Sequence, residues 1–249
     1  MGVCCAPILK QKLIQTQETM IESRTNEVQE QRGEIHTLLP TVPCNVVYNE
    51  DCMKGLKRFP DKYFDLAVVD PPYGIGFSSK KQSNFGKGGI NHEYKGWDEE
   101  IPKAEYWEEL FRVSKNQIVW GANYMTEFLK PSRCWISWYK MQEFSTNEFE
   151  LAWTSFDETC KQFNLSRVQA YAGNNKIHPT EKPIKLYDWT LNKFAKQGDL
   201  ILDTHLGSGS SRIAAHKAGL SFVGFEIDKD YYEAQEKRFK TFTSQLRLF

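Results

Sequence analysis

Neither sign of charge prevails in this sequence: 32 lysines and arginines stand against 32 aspartates and glutamates in 249 residues. A uniformly basic surface for a polyanion is thereby excluded, so any contact with nucleic acid has to come from local asymmetry. Paired cysteines are missing as well. Cys4, Cys5, Cys44, Cys52, Cys134 and Cys160 form no C-x-x-C and keep no regular spacing, which points to reduced thiols in a cytosol. No apolar run is long enough to read as a membrane span. The opening MGVCCAPILK is too short for a signal h-region, and Ala6 stands where a myristoylation motif wants Ser or Thr. Internal repeats are absent, and no residue pattern asks for a metal. The expectation is a soluble protein of the cytoplasm, with apolar residues at 40% giving it ample material for a core.

What is present begins with a polar, helix-favouring stretch over residues 8–36. Ile14, Ile21, Val28 and Ile35 recur seven apart, but the companion positions Gln17, Arg24 and Gln31 are polar, so only half of a coiled-coil seam is written. A helix packed on its own domain and a dimerising helix both remain open, and with them a homodimer. The reading takes 1–43 as an N-terminal helical extension and 44–249 as the main domain. From residue 44 the pattern alternates. NVVYNED, FDLAVVD, QIVWGAN, CWISWYK, FELAWTSF, DLILD and SFVGFEID read as seven strands. MKGLKRF, KAEYWEELFRVS, PIKLYDWTLNKFA, SRIAAHKAG and DYYEAQEKRFKTF read as helices, while 157–177 reads as polar and irregular. Strands alternating with helices over short links predict an α/β fold with a doubly wound, mostly parallel, seven-stranded sheet. Ligands of such sheets sit at the carboxyl ends of strands.

The segment ILDTHLGSGSSRIAAHKAG places Asp203 at such an end, with Gly207 and Gly209 opening a helix. Glycine permits a tight turn and close backbone approach there. Glu226 closes the next strand, at a distance that suits a carboxylate bridging two ribose hydroxyls. A dinucleotide loop would want a third glycine at position 212, which is Arg212, and a P-loop would want Gly-Lys-Ser/Thr. A nucleoside ligand bearing a carboxylate rather than phosphates fits better, and S-adenosylmethionine is of that kind. A purely structural strand–turn–helix is the plainer alternative.

The second block, DPPY, follows the buried run DLAVV. Pro71 and Pro72 fix φ and remove two N–H donors, leaving only acceptors beside the Asp70 carboxylate. Tyr73 adds a flat aromatic face. Such a pocket suits a planar ring with an exocyclic amino group, as in adenine. Accepting the amino hydrogens would aim the nitrogen lone pair at an activated methyl group, a task of orientation and polarisation.

Taken with HPTEKP at 178–183, these blocks resemble the amino-group DNA methyltransferases, in the permuted β-class order that puts DPPY before the glycine turn. The resemblance covers roughly residues 44–240 and implies a Rossmann-like fold that uses S-adenosylmethionine. It implies that Asp70, Pro71, Pro72 and Tyr73 hold the target base. It further implies that Asp203, Gly207, Ser208 and Gly209 line the methionine part of the cofactor, Glu226 its ribose, Lys182 its carboxylate, and Asp51 with Cys52 its adenine. Thr204-His205 departs from the usual Pro-Phe-like pair, with His205 either packing on the cofactor or replacing the aromatic ring. Asp at position 70 favours adenine N6 as acceptor. Cytosine N4, or a binding module without catalysis, are the alternatives. By the same resemblance the enzyme would belong to restriction–modification in a bacterial cell or a phage-infected host.

A base inside a duplex cannot reach such a pocket, so double-stranded DNA with one flipped base is the expected partner. Within a flexible catalytic loop at about 74–97, Lys80, Lys81, Lys87 and Lys95 outnumber Glu93 and are read as phosphate contacts. A small target-recognition region is placed at about 139–177, where Lys140, Gln162, Asn164, Arg167 and Gln169 are found among other polar residues.

Overall fold

The structure, a computed structural model, describes residues 45–76, 98–141, 148–171 and 176–245, all within the unit Cys44–Phe249. The helix expected at 8–36 and the loop lysines 80, 81, 87 and 95 lie outside the described residues.

One sheet organises the molecule. Its strands are β1 (Val46–Tyr48), β2 (Phe64–Val69), β3 (Ser114–Trp120), β4 (Trp135–Tyr139), β5 (Phe149–Thr154), β6 (Lys161–Asn164), β7 (Leu200–Asp203) and β8 (Ser221–Phe225). Across the sheet they run β1-β8-β7-β2-β3-β5-β4-β6. Pairing is parallel throughout except at β5, which runs against both β3 and β4. Among the described residues the sheet therefore has eight strands, not the seven expected. The addition is β6, which pairs parallel with β4 at the edge. Its sequence KQFN alternates polar residues with a single aromatic, so no apolar run announces it. Besides that pairing, Phe163 anchors it, 5.3 Å from the Trp189 ring. A short polar edge strand of this kind also resists pairing with a second sheet.

The central strands are apolar on both faces because both faces are covered. Leu66 and Val68 of β2 join a core with Leu186 and Leu191 of α4 (Ile184–Phe194) and Ala214 of α5 (Ser210–Lys217). The alternate residues Ala67 and Val69 are equally buried, and the pleat turns them to the opposite face. There α1 (Cys52–Leu56) packs on α2 (Ala104–Val113), which contributes Tyr106, Trp107, Leu110 and Val113. Each large apolar side chain so buried contributes about 1.5–3 kcal/mol. The short helix α3 (Arg167–Tyr171) falls in the stretch read as irregular. The last described helix is α6 (Lys229–Gln245). No helix among the described residues is long and apolar enough to cross a membrane.

Candidate active site

The parallel strands deliver their carboxyl ends to one edge. Asp70 follows β2, Asp203 ends β7, Glu226 follows β8, and β2 and β7 are direct neighbours through Leu66↔Ile201 and Ala67↔Leu202. The sheet thus sets the DPPY block beside the glycine turn although about half the chain separates them.

Asp70 is held by two partners. Lys182 Nζ lies 2.6 Å from each of its carboxylate oxygens, and the Tyr73 hydroxyl donates to Oδ1 at 2.6 Å. Lys182 also donates to the Tyr73 oxygen at 2.8 Å. Burial pushes the Asp70 carboxyl above its ordinary range, against the pull of the Lys182 ammonium and the phenol. Burial opposes the Lys182 charge too, but Asp70 and Glu150 outweigh it and hold the ammonium above its ordinary range. The resemblance assigns Lys182 to a cofactor carboxylate. The structure places its ammonium on Asp70 and Tyr73.

Three residues that the sequence reading did not single out fix Tyr73. The carboxylate of Asp98, 2% exposed, accepts the Tyr73 and Gly74 N–H groups at 2.7 and 3.1 Å. Beyond the end of β3, Gly121 has a φ of 68° and presses its backbone against the Tyr73 ring. Tyr124 stacks on that ring, with centroids 5.2 Å apart and planes 18° from parallel.

At the glycine turn, Gly207 and Gly209 take positive φ values of 52° and 74°. Glu226 binds the turn directly, accepting from Gly207 N at 2.7 Å and from Asp228 N at 2.9 Å. Asp203 accepts from the Ser211 hydroxyl at 2.5 Å and from His205 N at 3.1 Å. Burial drives its carboxyl up to about 7 even so. Ser208 is buried, and its carbonyl accepts from Arg238 of α6 at 2.9 Å. The same guanidinium pairs at 2.8 Å with Glu181, 3% exposed at the side chain, and so fastens the HPTEKP loop to the glycine turn. Arg212, which counts against a dinucleotide loop, is buried over Phe239 and pairs with Glu236 at 2.6 Å.

Between α1 and α2 an open cleft of about 310 Å3 is lined by Asp51, Cys52, Met53, Pro72, Ile101, Pro102, Tyr106 and His205, among others. Asp51 caps α1 by accepting from Met53 N at 2.8 Å. His205 Nδ1 sits 2.9 Å from the Thr204 hydroxyl, which in turn lies 2.7 Å from the Tyr106 hydroxyl. Burial holds the imidazole down to about 4, so it is neutral at pH 7. The Thr204-His205 departure is thus absorbed by a hydrogen-bonded chain at the cleft wall. The slot is largely apolar, with Asp51, Glu100, Lys103 and Glu105 also in its lining; it fits a purine ring, and His205 leads from it towards the glycine turn. The residues present therefore accommodate an adenosyl cofactor.

Comparison with known proteins bears on this arrangement. The model of the N6/N4 methyltransferase family, described as DNA methylase, matches residues 118–237. The type II methyltransferase M.HpaI of Haemophilus parainfluenzae is 24% identical over 233 residues, covering 76% of this chain and 72% of the relative. The type II methyltransferase M2.MboI of Moraxella bovis is 22% identical, covering 81% and 89%. Among solved structures, the M1.HpyAVI–SAM complex superimposes with a TM-score of 0.53 at 17% identity, over 78% of this chain and 98% of that one. The cytosine-N4-specific PvuII DNA methyltransferase does so with a TM-score of 0.56 at 13% identity, over 80% and 87%. These two superpositions show a shared fold. The family match over residues 118–237, the relatives and the two blocks assembled at one sheet edge support an amino-group DNA methyltransferase family, acting on adenine N6 or cytosine N4.

Proposed function

We propose that this protein transfers a methyl group from S-adenosylmethionine to the N6 amino group of adenine in double-stranded DNA, with the target base flipped out of the helix. The observation that carries the reading is the Asp70-Pro71-Pro72-Tyr73 block at the end of β2, immediately beside the β7 glycine turn. Asp51 and Cys52 with the cleft wall would hold the cofactor's adenine, Glu226 its ribose, and Asp203, Gly207, Ser208 and Gly209 the remainder. S-adenosylmethionine supplies an already activated sulfonium methyl when bound. The chain's own part is orientation. Asp70 accepts a hydrogen of the amino group, the two prolines present carbonyls and no competing N–H, and the Tyr73 ring supports the base by stacking. Extrusion of the base costs a few kcal/mol, which contacts to the flipped base and the phosphates have to offset. The loop lysines 80, 81, 87 and 95 would supply the phosphate contacts.

The test is methyl transfer to mixed-sequence duplex DNA, followed by digestion to nucleosides and mass spectrometry, with Asp70→Ala in parallel. N6-methyladenine from the wild type and none from the variant is the expected result. N4-methylcytosine would keep the mechanism and overturn the base. No methylated nucleoside, despite measurable binding of S-adenosylhomocysteine, would overturn the activity.

A further inference from the structure

The edge that carries Asp70 holds a second carboxylate with no assigned role. Glu150 is the second residue of β5, the one strand that runs against its neighbours, and this reversal brings its start to the edge where the parallel strands finish. In the β4–β5 register Glu150 faces Trp138, two residues before Lys140. Its Oε1 pairs with Lys140 Nζ at 2.6 Å, while its Oε2 stands 3.2 Å from Lys182 Nζ. That ammonium is the one lying 2.6 Å from both Asp70 oxygens. Asp70, Lys182, Glu150 and Lys140 therefore form a chain of alternating charge. Its two lysine side chains are only 3% and 7% exposed.

The arrangement conflicts with the proposed reaction unless something moves. Asp70 has to accept hydrogens from the target amino group, yet Lys182 occupies both of its oxygens. Simply displacing the ammonium would leave a buried cation without a counter-charge, which a protein interior does not tolerate. Glu150 removes the conflict, because it already lies within ion-pair reach of the same nitrogen. Burial works against the Glu150 charge, but Lys182 and Lys140 outweigh it and hold the carboxyl down to about 2, so this counter-charge persists at working pH.

We propose that Lys182 seats on Asp70 in the free protein and passes to Glu150 as the target amino group arrives, making Glu150 a positioning residue for the transfer step. The inference rests on the reading of Asp70 as the amino-group acceptor. It separates two properties that a merely structural Glu150 would lose together, turnover and the integrity of the cofactor site.

Glu150→Gln, Lys182→Met and the double variant are compared with wild type. The readouts are kcat on unmethylated mixed-sequence DNA, S-adenosylhomocysteine affinity by calorimetry, and thermal midpoint. Glu150→Gln is expected to lose about a hundredfold in kcat, the scale of a misplaced catalytic group, with affinity within about threefold of wild type. The double variant is expected to be no slower than the slower single variant, since residues acting as a unit are not additive. Losses that multiply in the double variant, or full turnover in Glu150→Gln, would overturn the proposal. Should Glu150→Gln fail to fold, Glu150→Asp keeps the charge but withdraws it by one methylene, and about a tenfold loss in kcat is expected. Wild-type turnover in that variant would overturn the transfer of Lys182. Wild-type protein that methylates no DNA would instead overturn the proposed function, and this inference with it.

Discussion

Gly121 and Tyr73 touch so closely that a β-carbon on Gly121 would come 2.0 Å from the tyrosine ring. A displacement of the ring is therefore unavoidable in Gly121→Ala, and the positive φ of 68° adds about 1–2 kcal/mol of backbone strain. Since Tyr73 bonds to Asp70, the whole acceptor block shifts. Methyl transfer is expected to fall about a hundredfold, with S-adenosylhomocysteine affinity retained. Kinetics together with calorimetry check this, and an active Gly121→Ala would show that the Tyr73 ring position is dispensable.

Asp98 makes a related prediction through the backbone. One of its oxygens holds two N–H groups, those of Tyr73 and Gly74. Asp98→Ala leaves both donors without this acceptor, at about 2–4 kcal/mol in total. A lower denaturation midpoint and a lower kcat are expected together. Asp98→Asn, which keeps one acceptor oxygen, should recover much of both.

Arg238 joins the HPTEKP loop to the glycine turn. Arg238→Ala strands the buried Glu181 carboxylate, and removing one partner of a buried pair costs about 3–5 kcal/mol. Urea denaturation should register that loss. Arg238→Lys should recover only part of it, because lysine lacks the planar fork whose two Nη atoms reach the Ser208 carbonyl and Glu181 separately.

The buried Asp203 and the half-buried His205 give opposite pH dependences. His205 binds its proton less readily when folded, its value held down to about 4 against an ordinary 6.5. Its contribution is complete above about pH 6.5 and is lost as pH falls through about 4. Asp203 behaves in the reverse sense, with its value raised to about 7 against an ordinary 3.8. Stability from that group is complete below about pH 3.8 and drains as pH rises through about 7. His205→Phe should flatten the acid side of a thermal midpoint–pH curve, and Asp203→Asn the neutral side. Unchanged curves would refute the desolvation of these groups on folding.

The sequence was most legible where function follows from local spacing. Asp70-Pro-Pro-Tyr73 after an apolar run and two glycines after Asp203 name their own strand ends, and the structure places both at the carboxyl edge. Asp98, Gly121, Glu150 and Arg238 were not legible, because none carries a local signal. Their roles come from partners 25, 57 or 112 positions apart, as in Tyr73–Asp98, Glu181–Arg238 and the Asp70–Lys182 pair that involves Glu150. Lys140 shows the converse limit. It reads as a surface contact in a polar region, but it is 6% exposed and neutralises Glu150. The edge strand β6 escaped for want of apolar residues, since backbone pairing to β4 and one ring hold it.

The pairing of β2 with β7 also dictates an order of events in the birth of the molecule. β2 can find β3 soon after synthesis, yet its other neighbour is made some 130 residues later. Until then β2 is an open flank, and its Leu66–Val69 run is a template for any passing extended chain. A ribosome-bound chain halted before Leu200 would have its DPPY block, but that block would stand on an unfinished sheet. Competence would thus arrive in a single late step, when the glycine turn docks beside it.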